Sequence, residues 1–359
     1  MTPVLACVEA GSRGLRLICL AVLPLAICNS APAATSADCA ICHRAETSQF
    51  VHADMTRALE SGANCAILKA NPRLTTTING YSYQIERVGN ESIYTVSNGK
   101  ETVRVPLEWA FGQGEAGQTY MFQRDGRWYE SRVSYYTAVK GLDLTIGAQT
   151  VPARNLDEAA GRLTAPTEAG QCFDCHATHA VAKRELTLPD MTAGVQCERC
   201  HGDADRHLAA ELSGDKANAA MRKLGAMSTE EVSDFCGQCH RTWSQIAAQG
   251  PRGILNIRFQ PYRLQSSRCY DAEDPRIRCT ACHDPHAQIR TVPADYDANC
   301  KACHSRGAKP ATKASSRICR VSTKNCATCH MPQLELPGAH KKFYDHEIRI
   351  ARANEKYPD

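Results

Sequence analysis

Apolar and polar positions divide this chain into stretches with different rhythms. The first is a continuous apolar run, Leu17 to Ile27, behind Arg13 and Arg16 and ahead of Ala31-Pro32-Ala33. A charged start, a short apolar run and an A-x-A site predict a cleaved secretory signal over residues 1–33. The run is shorter than the ~20 residues a membrane span needs, and nothing later in the chain approaches one. A second rhythm fills residues 73–154. Tyr81, Tyr83 and Ile85 alternate, as do Val103 and Val105. The runs Ile93–Val96 and Tyr120–Phe122 lead into Asn98-Gly99 and Asp125-Gly126. Strand-like runs joined by Asn-Gly and Asp-Gly predict a small antiparallel β insertion of four to six strands. It holds Trp109 and Trp128 but neither Cys nor His, so it is expected to cover a site, bind a partner or act as a spacer. Residues 34–72 contain a predicted helix, Ala45 to Leu59. Residues 155–359 show no sustained period and read as short helices and loops, with a polar tail (333–359) that folds back.

Composition changes this picture in one respect. Apolar residues make up 43% of the 359, but that total includes 20 cysteines, and aromatics are only 6%. Without the cysteines about 37% remains, below the ~45% of an ordinary globular chain. The interior therefore needs material other than side chains. Twenty thiols argue against a reducing cytosol unless they hold a metal or cofactor. The formal charge of +4 with no basic block makes nucleic acid a poor partner.

The cysteines supply the missing material. Fourteen fall in seven C-x-x-C-H motifs, numbered here in chain order: Cys39/Cys42/His43, Cys172/Cys175/His176, Cys197/Cys200/His201, Cys236/Cys239/His240, Cys279/Cys282/His283, Cys300/Cys303/His304 and Cys326/Cys329/His330. Two thiols at this spacing add to the two vinyl groups of one porphyrin, and the next histidine is the proximal iron ligand of a c-type haem. Zinc pairs also use C-x-x-C, but zinc chemistry does not require His after every second Cys. The expectation is seven covalently bound haems c, six of them in residues 155–359. Porphyrins would then form the core. Their propionates would take the mature chain from about +3 to at most about −11, with Arg199, Arg258 and Arg263 as candidate propionate partners.

Six histidines remain: His52, His179, His207, His286, His340 and His346. The last five lie close to motifs and are candidate distal ligands, each to a different haem from its neighbouring motif. Six imidazoles cannot complete seven haems. At least one iron is therefore His/Met, five-coordinate or otherwise ligated. Met55, one turn after His52 on the predicted helix, is the leading substitute. Cys65, Cys269 and Cys319 lie outside the pattern. Cys269 and Cys319 are the expected disulfide, leaving Cys65 buried or available for cross-linking.

These residues resemble the exported multihaem cytochromes related to tetrahaem cytochrome c-554. The resemblance rests on CAICHRAETSQFVHADMTRALE, GVQCERCHGDADRH, NIRFQPYRLQSSRCY, CTACHDPH and CATCHMPQ…FYDHEIRIAR, and covers nearly all of residues 34–359. It implies a mostly α-helix and loop multihaem cytochrome fold with little regular core, to which the β insertion is an addition. It also implies His207, His286 and His346 as distal ligands. The tetrahaem relatives carry His where Met55 stands here. The function implied is periplasmic or cell-surface electron transfer with redox partner proteins, either other cytochromes or quinol-linked membrane complexes. An enzyme is the alternative: a haem oxidoreductase acting on a nitrogen or sulfur oxyanion, or on hydroxylamine, at one open iron. A filament-forming structural haem protein is the second alternative, and an oligomer is compatible with either. No catalytic residue outside the haems stands out, and the C-x-x-C-K active haem of one nitrite reductase type is missing.

Overall fold

The computed structural model of the protein describes residues 35–250, 253–307, 318–352 and 354–355. The apolar run of residues 17–27, and with it the predicted signal, lies outside the described residues. Among the described residues no helix is long and apolar enough to cross a membrane.

Ten strands run from residue 59 to residue 163: β1 (Leu59–Ser61), β2 (Arg73–Ile78), β3 (Tyr81–Val88), β4 (Glu91–Ser97), β5 (Thr102–Pro106), β6 (Trp109–Gly114), β7 (Gly117–Arg124), β8 (Arg127–Tyr136), β9 (Gly141–Leu144) and β10 (Gly161–Leu163). They form two antiparallel sheets. One is the meander β2-β3-β4-β5. The other has the order β1-β6-β7-β8-β10, with β9 also on β8. Asp125 and Gly126 both have positive φ, as a two-residue turn between right-twisted strands requires, and they set the register Arg124 opposite Arg127. Leu74, Tyr83, Ile85, Tyr94 and Val96 of the meander share one buried core with Tyr120, Phe122, Val133 and Leu142 of the larger sheet. The opposite face of the larger sheet is buried too. Leu59, Phe111, Met121, Trp109 and Trp128 pack there against Phe173, Ala169 and Ala177.

This corrects the expected fold class. Helix accounts for 36% and strand for 24% of the described structure, so the chain is not mostly helix and loop with a small insertion. The ten strands enclose a side-chain core of their own. The helices beyond them are short, the longest being Thr229–His240 and Pro166–His176. The helix expected over 45–59 is also interrupted. Arg44–Phe50 is helical, the chain turns at Val51–Ala53, Asp54–Arg57 forms a 3-10 turn, and Leu59 enters β1 opposite Phe111. Burial of Ala53 and Leu59 against other elements overrides helix propensity here.

The 3-10 turn is seated by close backbone contact. Val195 N–H donates to the Met55 carbonyl (2.9 Å), and Gly194, at φ +76°, lies so near Thr56 that a Cβ would fall 1.8 Å from its carbonyl oxygen. Gly194→Ala is expected to destabilise the protein by about 1–3 kcal/mol through overpacking and left-handed strain. Chemical denaturation checks this, and an unchanged midpoint would refute it.

Candidate haem sites

Each C-x-x-C-H motif occupies, or closes, a single helical turn. Motifs 2, 4 and 6 end the helices Pro166–His176, Thr229–His240 and Asp297–His304. Motifs 3 and 7 are the helices Cys197–His201 and Cys326–His330, and motif 5 is Cys279–Cys282 followed by His283. Motif 1 begins at the last residue of Ser36–Cys39. Residues i, i+3 and i+4 share one helix face, so both sulfurs and the imidazole project to the same side.

The ring nitrogens sort the histidines. A metal-bound imidazole ordinarily donates its other N–H to a carbonyl or carboxylate, which fixes tautomer and orientation. Nδ1 does this in His176 (to Ala58 O, 2.9 Å), His201 (Arg222 O, 3.0 Å) and His330 (Arg349 O, 2.9 Å). It does so as well in His207 (Ala219 O, 2.5 Å) and His346 (Tyr344 O, 3.0 Å). In His286, Nδ1 lies 3.4 Å from Asp284 Oδ1. In these residues Nε2 is without a hydrogen-bond partner among the described residues. Two histidines use the other nitrogen. His340 Nε2 meets Asp143 Oδ2 at 2.8 Å, with its ring 4.7 Å from Tyr136, and His179 Nε2 lies 3.8 Å from Glu198 Oε2.

Three histidine pairs then stand out by separation. Ring centres are 6.3 Å apart for His43 and His207, 6.0 Å for His201 and His286, and 6.1 Å for His283 and His346. An iron with two opposed imidazoles, each bond about 2.0 Å and each ring centre about 1 Å further, holds those centres about 6 Å apart. Direct stacking would bring them closer. The residues present therefore fit haem iron between each pair. Burial lowers the basicity of His176, His240 and His283, and pushes His346 down to about 4, with His283 as its next cause. A neutral imidazole is the form that binds a metal.

The other candidates are placed differently. His52 is exposed, and Met55 is half-buried on the 3-10 turn. His179 borders a cavity of about 380 Å³ whose wall mixes Asp174 and Glu198 with Arg199 and Arg222. No three or more His, Cys, Asp or Glu side chains among the described residues converge as a bare metal ion would require.

Motifs also touch one another. Burial and then the Cys197 sulfur raise the Cys39 thiol to about 11, which sets motif 1 beside motif 3. A hydrogen bond to Cys239 is the main cause raising Cys175, and one to Cys279 the main cause raising Cys236, which joins motifs 2 and 4 and motifs 4 and 5. Asn299 donates to Ala281 O (2.6 Å) between motifs 6 and 5. Asp297 accepts from Asn325 N and Cys326 N, both at 2.8 Å, and joins motif 6 to motif 7. The Cys326 N–H is the main cause holding the Asp297 carboxyl below its usual range.

Two expectations are corrected, Arg263 as a propionate partner and the Cys269–Cys319 disulfide. Cys42 of motif 1 and Cys329 of motif 7 are exposed, whereas the other twelve motif cysteines are half-buried. Cys42 lies in the turn between the helices Ser36–Cys39 and Arg44–Phe50, where no other element covers it. Cys329 sits two residues past Ala327, the buried residue of its one-turn helix, and a two-residue step points to the opposite side. The first and last motifs thus have one sulfur each open to solvent. Arg263 is wholly buried on Asp345 and Glu347, so it is not a propionate partner. Cys269 and Cys319 are both free thiols. Cys269 is half-buried near Cys303, while Cys319 is exposed. Cys65 is buried and donates to Gln118 Oε1 at 3.1 Å, which removes it from cross-linking. Arg241, which the sequence did not single out, joins Arg258 on the Phe259 ring, at 5.0 and 5.1 Å, and neither has a carboxylate partner among the described residues.

A family described as cytochrome c554 and c-prime matches residues 130–202, and one described as cytochrome c3 matches residues 189–305. The multiheme cytochrome MtrA of Shewanella baltica (strain OS185) is 24% identical over 165 residues, 45% of this chain and 41% of that protein. The chain thus spans about two fifths of that relative's length. No solved structure matches.

Proposed function

We propose that this multihaem c-type cytochrome, an electron-transfer protein with covalently bound haem c, carries one haem on each of its seven motifs and passes electrons along them outside the cytoplasm. The observation that carries the reading is the contact network. Motif 1 meets 3 through Ser36 Oγ and Cys197 Sγ at 3.5 Å, 3 meets 5 through His201 and His286, and 5 meets 4 by packing of the helices Cys279–Cys282 and Thr229–His240, 6 through Asn299 and, through the segment bearing His346, 7. Motif 2 joins motif 4 through Cys175 Sγ and the Gln238 carbonyl, 3.8 Å apart. Every motif is therefore one contact from another, as a continuous electron path requires. When bound, haem supplies a one-electron couple whose potential is set by its axial ligands.

Within that reading, His43/His207, His201/His286 and His283/His346 are the axial pairs of haems 1, 3 and 5. His176, His240, His304 and His330 are the proximal ligands of the remaining four, with His52 and Met55 as further distal candidates. His179 and His340, whose Nε2 atoms face carboxylates, serve structure instead. Cys42 and Cys329 are attachment sulfurs like the other twelve, and the first and last motifs are the ones we assign to exchange with partners. Desolvation holds His176, His240, His283 and His346 toward the neutral form that binds a metal. Arg241 and Arg258 are the free guanidinium groups suited to propionates near motif 4. Export fits a thioether-bound cofactor attached by free thiols. Redox proteins are the partners, and the acidic holoprotein would favour basic docking faces.

The purified holoprotein tests this. Its mass is expected to exceed the chain by seven haem groups, and potentiometric titration is expected to account for seven electrons. Nitrite and hydroxylamine are expected to leave its low-temperature paramagnetic resonance spectrum unchanged and to show no turnover. Fewer haems would reject the count. Turnover with a shifting high-spin signal would reject a pure carrier.

A further inference from the structure

We propose that Arg263 is a positioning residue that, by clamping the segment Asp345–Arg349, sets the axial geometry of two haems at once, those of motifs 5 and 7. The inference rests on the ligand pairing proposed above. Arg263 lies on the helix Gln260–Gln265 with no exposed surface. Its Nε and Nη2 hold the two oxygens of Asp345 at 2.9 and 3.1 Å, and Nη2 lies 2.6 Å from Glu347 Oε2 as an ion pair without hydrogen-bond geometry. Asp345 and Glu347 flank His346, so a single planar guanidinium grips the chain on both sides of the imidazole that faces His283.

The backbone of the segment is pinned from the same side. Ser267 Oγ donates to the His346 carbonyl (2.7 Å) and accepts from Ile348 N–H (2.8 Å). Asp345 N–H donates to Pro332 O at 3.0 Å. The far end then reaches motif 7. Arg349 N–H donates to His330 O (3.1 Å), and the Arg349 carbonyl accepts from His330 Nδ1 (2.9 Å). Arg349 Nη1 returns to Asp345 Oδ2. One short segment therefore carries the sixth ligand of one haem and the hydrogen-bond acceptor of another haem's proximal histidine. Arg263 is the element outside that segment whose side chain grips both carboxylates.

Burying a guanidinium between carboxylates is a poor route to stability alone, since apolar side chains of similar volume do as well or better. What Arg uniquely supplies is a rigid bidentate fork, which fixes direction as well as distance. Lysine keeps the charge and loses the fork. Arg263→Lys is therefore the informative substitution. Asp345 remains paired while the segment gains freedom to rotate.

The test uses the full holoprotein and two readouts, the low-temperature paramagnetic resonance spectrum and the potential of each haem. His346→Ala identifies the signals of haem 5 by conversion to high spin, and His330→Met identifies those of haem 7. Arg263→Lys is expected to shift the resonance positions of haems 5 and 7, and to raise the haem 5 potential as the imidazole bond weakens. The signals of haems 1 and 3 should remain in place. Glu347→Gln, which leaves the Arg263–Asp345 pair intact, is expected to give a smaller shift in the same two haems and serves if the lysine variant does not accumulate. Shifts in all haems alike, or in neither haem 5 nor haem 7, would overturn the inference. If His346→Ala itself leaves every signal unchanged, the ligand pairing falls, and the inference with it.

Discussion

Phe173→Ala is expected to cost about 3–5 kcal/mol, the range for emptying a fully buried phenylalanine site. Phe173 is the first residue inside motif 2, between Cys172 and Cys175, and has no exposed surface. Its ring sits among three aromatic side chains of the larger sheet: Phe111 at 5.1 Å, Trp128 at 5.6 Å and Trp109 at 5.8 Å, all edge-on. Edge-to-face pairs add about 0.5–1.5 kcal/mol each beyond the area they bury. Rigid indole rings held by strand pairing collapse poorly into a vacated space, so the upper half of the range is favoured. The loss is a large share of the ~5–15 kcal/mol that keeps a domain folded. Its effect should be local first. His176 takes its carbonyl partner from Ala58, next to β1, and packs on Phe111 at 5.3 Å. The variant is thus expected to lose haem at motif 2 before any other and to unfold at lower denaturant concentration. Mass analysis of haem-bearing peptides and a denaturant titration check both. A destabilisation under about 1 kcal/mol, well below the cavity range, or haem loss spread evenly over all motifs, would refute the idea that the sheet seats motif 2.

The packing of Phe173 on the larger sheet gives the β region a contact with motif 2, which covering a site, one of the roles open to it from sequence, would require. The hairpins at Asn98-Gly99 and Asp125-Gly126 were legible because their turn chemistry is local. The extent of the sheet was not. β1 and β10 are three residues each, too short for any periodic signal, and each pairs with a strand distant in sequence, Leu59 with Phe111 and Gly161 with Ser131. Tyr120, Met121 and Phe122 are buried in succession because both faces of the sheet are covered, and that erases the alternation by which a one-sided strand is recognised. The thin apolar composition also pointed to porphyrins as the whole core, whereas the apolar residues are concentrated where ten strands can use them.

The candidate sites divide in the same way. Spacing alone marks the Cys and His of each motif as candidates, because one helical turn carries all three groups. It does not tell an enclosed sulfur from an open one, and Cys42 and Cys329 differ from the other motif cysteines only in what lies around their turns. Nearness to a motif in sequence made His179, His207, His286, His340 and His346 look equivalent. What separates them is which ring nitrogen is engaged, and the partners that decide it are often remote. Asp143 is 197 residues from His340. Ala219 O is twelve residues past His207, across a helix end. A pattern of residue types holds no record of such tertiary partners. Arg263 shows the converse, since an arginine in a motif-rich stretch reads as a propionate partner, whereas its partners are buried Asp345 and half-buried Glu347.

His286→Met is expected to raise the potential of the motif 3 haem by on the order of 0.1 V, within the ~0.8 V over which axial ligands tune haem iron. The His201 and His286 rings are 6.0 Å apart and within 6° of parallel. His286 is held at the end of C-H-D-P-H by its own N–H bonded to Asp284 Oδ1 at 2.9 Å, and that carboxylate also lies beside Nδ1. A carboxylate on the second nitrogen makes the imidazole a stronger donor and favours ferric iron. A thioether donates less, cannot use Asp284, and favours the ferrous state. Methionine is long enough to span the same gap, so the iron should stay low-spin while its potential rises. His340→Met is the matched control. It changes the same residue type, but in the tail and at a position whose Nε2 belongs to Asp143, and it should leave every haem potential in place while loosening the contact between the tail and β9. A rise with His286→Met and none with His340→Met would establish that ring-nitrogen geometry, rather than nearness to a motif, selects the distal ligands. Equal effects from the two, or none from either, would refute it.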